Sequence, residues 1–97
     1  MDQIETARNE INEIDALMAG MFEKRMKACE KIAAYKKEKG LKIRDAAREE
    51  TVIRRNRSLI QDPNIRPYYV DFLENIISLS CRYQSELIND RTVKTEE

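Results

Sequence analysis

The chain has 97 residues, of which 37% are charged and 41% hydrophobic, and its 18 basic and 18 acidic side chains leave no net charge. These values fit one small soluble domain, and the interleaving of acids with bases disfavours a nucleic-acid-binding protein, which needs a local excess of Lys and Arg. Because the sequence contains no histidine, zinc hydrolysis and histidine-based acid–base or triad chemistry are excluded.

Turn-forming residues are scarce, with only two Gly and two Pro, which favours a few long helices over a sheet. The longest apolar run, residues 16–22, is too short for a signal-peptide core or a transmembrane helix, so we expect a cytoplasmic protein with no membrane partner. Cys29 and Cys81 lack metal-site spacing. Buried free thiols are therefore favoured over a disulfide or a metal ligand.

The first forty residues predict one long helix, because apolar residues recur every seven positions. The two columns of this repeat are Ile4, Ile11, Met18, Arg25 and Ile32, and Ala7, Ile14, Met21, Ala28 and Tyr35. Asp2 with Glu5 forms a candidate capping box, and Gly40 is a candidate helix stop. At about 1.5 Å per residue the helix would span roughly 55 Å, whereas a compact chain of this size has a radius of gyration of about 13 Å. We therefore predict an elongated, intertwined homodimer.

Three basic residues on this helix suggest a shared site. Arg25 and Lys36 lie about three turns apart on one face, so their long side chains can reach one small anion between them. Arg8 and Lys36 are separated by roughly 42 Å along the helix axis. If Arg8 belongs to the same site, it must come from the partner subunit.

Residues 41–44 are predicted to connect the first helix to a second, which begins after the N-cap Asp45 and ends near Gln61. Pro67 fits the first turn of a third helix. The apolar stripe of this third helix, which also contains Ser80 and Gln84, consists of Val70, Leu73, Ile76, Ile77, Leu87 and Ile88. We predict one all-α domain at residues 1–90, formed by these three helices, and a frayed polar tail at residues 91–97.

Polar side chains interrupt the apolar stripes at Arg25, Lys36, Ser80 and Gln84. Taken singly, a charged seam residue is usually a register device or a snorkelling side chain, Asp45 a helix cap, and Arg48 part of a solvated face. Burying the four together without partners would cost on the order of several kcal/mol, which predicts a polar ligand. Donors outnumber acceptors, which favours a carboxylate or phosphate anion, and Asp45 and Glu49 can accept from a hydroxyl group on it.

The segments ARNEINEID, KRM, IAAYK, IRDAARE and SLSCRYQ occur in this order, and together they resemble the all-helical class of chorismate mutase. The resemblance covers nearly the whole chain except the tail, and it is strongest at residues 36–49 and at the pair Ser80 and Gln84. It implies a three-helix protomer, intertwined as a dimer, with two equivalent sites that convert chorismate to prephenate in aromatic amino-acid biosynthesis. We expect no cofactor and no metal ion.

The resemblance further implies which residues contact the reacting part of the substrate. Arg25 would bind one substrate carboxylate, and Arg8 of the partner subunit would bind the second. Lys36 and Gln84 would hydrogen-bond the ether oxygen of the breaking C–O bond.

The remaining implied roles are supporting ones. Glu49 and the start of the second helix at Asp45 would hold the ring hydroxyl group. Ser80 would assist a carboxylate, and Arg48 would support the site.

Two other functions remain open from the sequence. An isochorismate pyruvate lyase uses a similar fold and a similar set of cations, but it releases free pyruvate instead of prephenate. A non-catalytic helical dimerisation or regulatory domain would show no turnover of chorismate.

Overall fold

The structure is a computed structural model that describes residues 2–95, with side chains described as far as Asn89. Within these residues the chain forms three α-helices and no strand: α1 (Gln3–Lys39), α2 (Ala46–Arg57) and α3 (Arg66–Thr95). The predicted all-α fold of three helices is confirmed, and the intertwined homodimer stays a prediction. The division at residue 90 stays a prediction. The α3 backbone continues to Thr95, past the predicted start of a frayed tail at residues 91–97, whose side chains lie outside the described part.

Both ends of α1 form as the sequence predicts. The carboxylate of Asp2 accepts a hydrogen bond from the backbone N–H of Glu5 at 2.8 Å, which makes Asp2 the N-cap. At the other end Gly40 has a φ of 67°, and its N–H group donates to the carbonyls of Lys36 and Lys37. Gly40 ends the helix because it adopts the left-handed backbone conformation, which glycine reaches without a steric penalty.

The end of α2 differs from the prediction, since the helix stops at Arg57 and not near Gln61. The last turn tightens, because the N–H groups of Leu59 and Ile60 donate to the carbonyls of Asn56 and Arg57, three residues back instead of four. The Ser58 hydroxyl donates at 2.6 Å to the Arg55 carbonyl, which the N–H group of Leu59 would use in a longer helix. The short connection that follows leads into α3, where Pro67 lies in the first turn as predicted.

Helix α3 packs against both α1 and α2, whereas α1 and α2 do not pack on each other within residues 2–95. Helices α1 and α3 run parallel, because Arg25 contacts Ser80 and Glu30 contacts Tyr83 further along both helices. The buried apolar side chains of the described part are Cys29, Ala33, Leu73 and Ile77, and buried Ser80 and Gln84 continue the same stripe of α3. The gap between α1 and α2 is therefore a cleft with α3 as its floor.

The first half of α1 is uncovered, since every residue from Asp2 to Lys24 is exposed. These residues include most of the predicted apolar columns, among them Ile4, Ile11, Ile14 and Met21. The described chain measures 53 × 35 × 15 Å and has a radius of gyration of 17.2 Å, compared with about 13 Å for a compact chain of this length. No helix in the described part has both the length and the apolar character needed to cross a membrane.

Candidate active site

The cleft between α1 and α2 contains a cavity of about 400 Å³. Small-molecule sites usually measure roughly 300 to 1,000 Å³, so the volume suits one small ligand. Seven of the eight predicted site residues line it: Arg25, Lys36, Asp45, Arg48, Glu49, Ser80 and Gln84. Apolar side chains from all three helices, including Ile32, Val52 and Ile77, form the rest of the wall.

Ser80 joins Arg25 to the floor of the cavity. Its buried hydroxyl group donates to the carbonyl of Ile76 at 2.8 Å and accepts from Nη1 of Arg25. A guanidinium group carries five N–H donors, so this contact orients Arg25 and leaves further donors for a ligand. The two polar residues that interrupt the apolar stripes of α1 and α3 thus bond to each other, and both also line the cavity.

Lys36 is held at the opposite end of the cavity wall. Its ammonium group donates to the backbone carbonyl of Ile43 at 2.5 Å. Since an ammonium group has three donors, one bond to the connecting segment fixes its position while others remain for a ligand. Lys36 and Arg25 therefore place two positive charges on one wall.

Gln84 is the most unusual polar group of the cavity, because it is only 6% exposed and its carbonyl oxygen Oε1 has no hydrogen-bond partner. Leaving a buried polar atom unpaired costs about 1 to 3 kcal/mol. Rotation about the last side-chain bond exchanges the oxygen with the NH₂ group, so the unpaired end of the amide can serve a ligand as acceptor or as donor. The side chain is neutral in either orientation.

The start of α2 supplies the acidic side of the cavity. Asp45 acts as the N-cap, and its Oδ1 accepts from the backbone N–H of Arg48 at 3.1 Å. One turn later the carboxylate of Glu49 accepts two bonds from Arg44, at 2.9 and 3.2 Å. Arg48 lines the cavity with an exposed side chain.

Arg8 does not join these residues. It lies on the exposed first half of α1 and is not among the described residues that line the cavity. This agrees with the separation of roughly 42 Å expected along the helix between Arg8 and Lys36. One chain therefore brings together seven of the eight predicted residues.

The chain was then compared with known proteins. The family model for chorismate mutase type II matches residues 7–85, a segment that contains Arg8, Gln84 and the other predicted site residues. The chain belongs to the chorismate mutase type II family. Comparisons with curated proteins and with solved structures returned no match.

Membership in the chorismate mutase type II family confirms the resemblance seen in the motifs. It assigns the chain to an isomerase, chorismate mutase, and it implies chorismate as the substrate. An all-helical protomer agrees with this family.

Sequence reasoning missed three features of this cavity: both thiols in its wall and the contact of Arg44 with Glu49. Cys29 and Cys81 are free, as favoured, but only Cys29 is fully buried. Burial raises the pKa of the Cys81 thiol, and the charges of Arg44 and Lys36 oppose this shift. Cys81 directly follows Ser80, so its place near the cavity could have been predicted. The contact of Arg44 could not, because the chain around Arg44 has no periodic pattern.

Proposed function

We propose that the cavity between α1 and α2 is the active site and that it converts chorismate to prephenate. In this rearrangement the ether C–O bond breaks while a C–C bond forms within the same molecule, so that no nucleophile, proton transfer or second substrate takes part. Such a reaction suits a chain without histidine. The proposal rests on one observation: seven residues with the implied roles line a single cavity of about 400 Å³.

The two carboxylates of chorismate are bound by two arginines. Arg25, oriented by Ser80, binds one of them from within the chain. Arg8 of the partner subunit binds the second. Holding the flexible substrate with its reacting atoms close together removes part of the barrier, and two arginine–carboxylate pairs supply this constraint.

Lys36 and Gln84 stabilise the transition state. Negative charge grows on the ether oxygen as the C–O bond lengthens, and both side chains offer N–H donors to it from fixed positions. One well-placed donor of this kind contributes about 3 to 4 kcal/mol. The bond from Lys36 to the Ile43 carbonyl and the burial of Gln84 support this role, because donors that are already ordered need not be reorganised during the reaction.

Glu49 binds the ring hydroxyl group. Its carboxylate lines the cavity and keeps acceptor capacity beyond the two bonds from Arg44. Asp45, as the N-cap, sets where α2 begins and hence where Glu49 stands one turn later. Arg48 adds positive charge at the rim for a substrate that is a dianion.

The active form is an intertwined homodimer. The uncovered apolar face of α1 supports this, as does a groove of about 560 Å³ between α1 and α3 whose wall includes Met18, Phe22, Phe72 and Leu79. In such a dimer the first half of α1 of each chain covers its partner and carries Arg8 toward the other cavity. Each dimer then has two equivalent sites.

The test follows the loss of chorismate absorbance with purified protein and identifies the product. We expect prephenate, and we expect Lys36→Ala to lower kcat/KM by about a hundredfold or more because it removes a donor to the developing charge. Lys37→Ala is the matched control, since Lys37 is exposed on the same turn and does not line the cavity. Free pyruvate would instead indicate the lyase, and a folded protein without turnover would indicate a regulatory domain.

A further inference from the structure

The connector between α1 and α2 (residues 40–45) contacts one functional group on each side of the cavity through successive residues. The carbonyl of Ile43 accepts from Lys36 on α1 at 2.5 Å. The side chain of Arg44 donates to Glu49 on α2, from Nη2 to Oε1 at 2.9 Å and from Nε to Oε2 at 3.2 Å. The connector therefore bonds both to the cation beside the ether oxygen and to the proposed acceptor of the ring hydroxyl.

The pair of Arg44 and Glu49 differs from an ordinary surface ion pair. Two parallel N–H···O bonds fix the plane of the carboxylate, which a single contact does not do. The Glu49 side chain is 23% exposed and that of Arg44 57% exposed. On the same helix, Arg54 and Glu50 approach only to 3.6 Å, and their side chains are 69% and 80% exposed. That second pair makes a suitable control, because exposed single-contact pairs contribute little.

The charge of Arg44 acts on residues of the cavity wall, although the Arg44 side chain does not line the cavity. Arg44 is not among the described residues that line the cavity. Its hydrogen bond to Glu49 raises the pKa of its guanidinium group above the ordinary value. The sulfur of Cys81 lies 3.9 Å from Oε2 of Glu49, and although burial raises the pKa of this thiol, the charge of Arg44 opposes the rise. Arg44 thus acts on the cavity through Glu49 and its surroundings.

We infer that Arg44 is a positioning residue, which holds the carboxylate of Glu49 in the orientation that accepts the ring hydroxyl group of the substrate. This inference rests on the proposed function of Glu49. Without Arg44 the Glu49 side chain would rotate freely about its terminal bonds. Misplacing a positioning group by about 1 Å costs up to about a hundredfold in rate.

A double-mutant cycle tests this coupling. The four proteins are the unaltered chain, Arg44→Ala, Glu49→Ala and the double variant, and kcat and KM are measured for each from the loss of chorismate absorbance. We expect Arg44→Ala to lower kcat/KM by about tenfold to a hundredfold and Glu49→Ala to lower it at least as much. In the Glu49→Ala background the further loss on Arg44→Ala should be less than about twofold, because the group that Arg44 orients is already gone. The two single variants should also divide their losses between kcat and KM in the same way.

Arg54→Ala is the matched control and should leave kcat/KM unchanged. Thermal unfolding of every variant shows whether the helices remain folded. If Arg44→Ala does not fold, Arg44→Lys is measured in both backgrounds under the same criterion, since a lysine keeps the charge but not the two parallel bonds.

The outcomes separate this inference from the proposal on which it rests. Undiminished kcat/KM in Glu49→Ala would overturn the proposed role of Glu49 and the inference with it. A loss in Glu49→Ala with an equal, independent loss from Arg44→Ala in both backgrounds would overturn the inference alone. So would an increase in kcat/KM on Arg44→Ala, which would mean that the pair restrains Glu49 from the substrate.

Discussion

The proposed role of Gln84 leads to an expectation for the pH range of activity. The amide is buried in the cavity wall and has an unpaired end, and it needs no proton to act as a donor. A carboxyl group of the same length would have to be protonated before it could donate to an ether oxygen. An unperturbed glutamate side chain ionises at acidic pH, and burial at position 84 would move this ionisation to higher pH because it favours the neutral form.

We therefore expect kcat/KM of the unaltered chain to change by less than about twofold between pH 5 and pH 8, whereas Gln84→Glu should lose at least about tenfold over that range as its carboxyl group ionises. Activity is measured in buffers of constant ionic strength. Gln61→Glu, an exposed position between α2 and α3, is the control and should follow the unaltered chain. An unaltered enzyme that becomes inactive above pH 6 would contradict a donor role for Gln84.

Among single residues, the polar side chains of the cavity were predictable from the sequence because they break regular patterns. Arg25 interrupts a seven-residue repeat, and Ser80 and Gln84 interrupt the stripe of α3, so each is visible without a structure. The contact of Arg44 with Glu49 was not predictable in this way. It depends on the turn that the chain makes after Gly40, and side-chain direction in an irregular connector has no period.

The pairing of α1 with α3 depends on a polar contact as well as on the small apolar core. The hydroxyl group of Tyr83 donates to the carboxylate of Glu30 at 2.5 Å, and Lys27 lies 3.4 Å from the same carboxylate. The bond lowers the pKa of Glu30 below its ordinary value of 4.5 and raises the pKa of Tyr83 above its ordinary value of 10.0. Both shifts mean that the bond favours an ionised Glu30 and a neutral Tyr83.

The contribution of this bond to stability should be limited to the middle of the pH scale. A lowered pKa of Glu30 stabilises the fold above about pH 4.5, and this stabilisation is lost as pH falls through the folded-state pKa. A raised pKa of Tyr83 stabilises the fold below about pH 10.0, and this is lost as pH rises through the folded-state pKa. Tyr83→Phe removes the hydroxyl group, and with it the titration of Tyr83 and the largest cause of the lowered pKa of Glu30.

We expect Tyr83→Phe to lower the free energy of unfolding most near pH 7 and progressively less toward strongly acid or strongly alkaline pH. Urea unfolding of both proteins across the pH range measures the difference. Tyr68→Phe, at an exposed position on the same helix, should show no such dependence. A difference between Tyr83→Phe and the unaltered chain that stays constant with pH would indicate lost packing alone.

The bounds of the helices were predictable where a cap is encoded locally. Asp2, Gly40 and Asp45 are residue types that start or stop helices by their own backbone or side-chain chemistry, and α1 and the start of α2 follow them. The end of α2 was misplaced because Leu59 and Ile60 donate to carbonyls three residues back instead of four, and Arg66 of the next helix bonds the Ile60 carbonyl of the connection that follows. Such a contact between neighbouring elements is visible only once both are placed.

At the scale of the whole molecule the chain is 15 Å thick along its shortest axis, little more than the diameter of one α-helix with its side chains. A single layer of helices leaves both of its faces uncovered, which agrees with the exposure of Ile4, Ile11 and Met21. The sequence predicted this incompleteness from the length of α1 alone. The proposed pairing of two chains would cover these side chains, and Arg8 provides the means to test it.

If Arg8 acts across the dimer, two inactive variants should restore each other's activity. A mixed dimer of Arg8→Ala with Lys36→Ala has one cavity that combines an intact Lys36 with Arg8 from the other chain, and one cavity that lacks both. Random exchange of equal amounts makes about half of the dimers mixed, so that about a quarter of the sites become active. Activity should therefore rise to roughly a quarter of that of the unaltered enzyme, after subunit exchange has been verified by native mass spectrometry.

The control for this experiment mixes Lys36→Ala with Arg25→Ala. Both residues line the cavity of the same chain, so every cavity in the mixed dimer lacks one of them and no activity should return. Mixing Arg8→Ala with Arg25→Ala should restore activity as the first mixture does, because Arg8 and Arg25 would come from different chains. Failure of both Arg8 mixtures after verified exchange would mean that Arg8 does not act across the dimer. Arg25 and Lys36 would then have to bind both substrate carboxylates without help from a second chain.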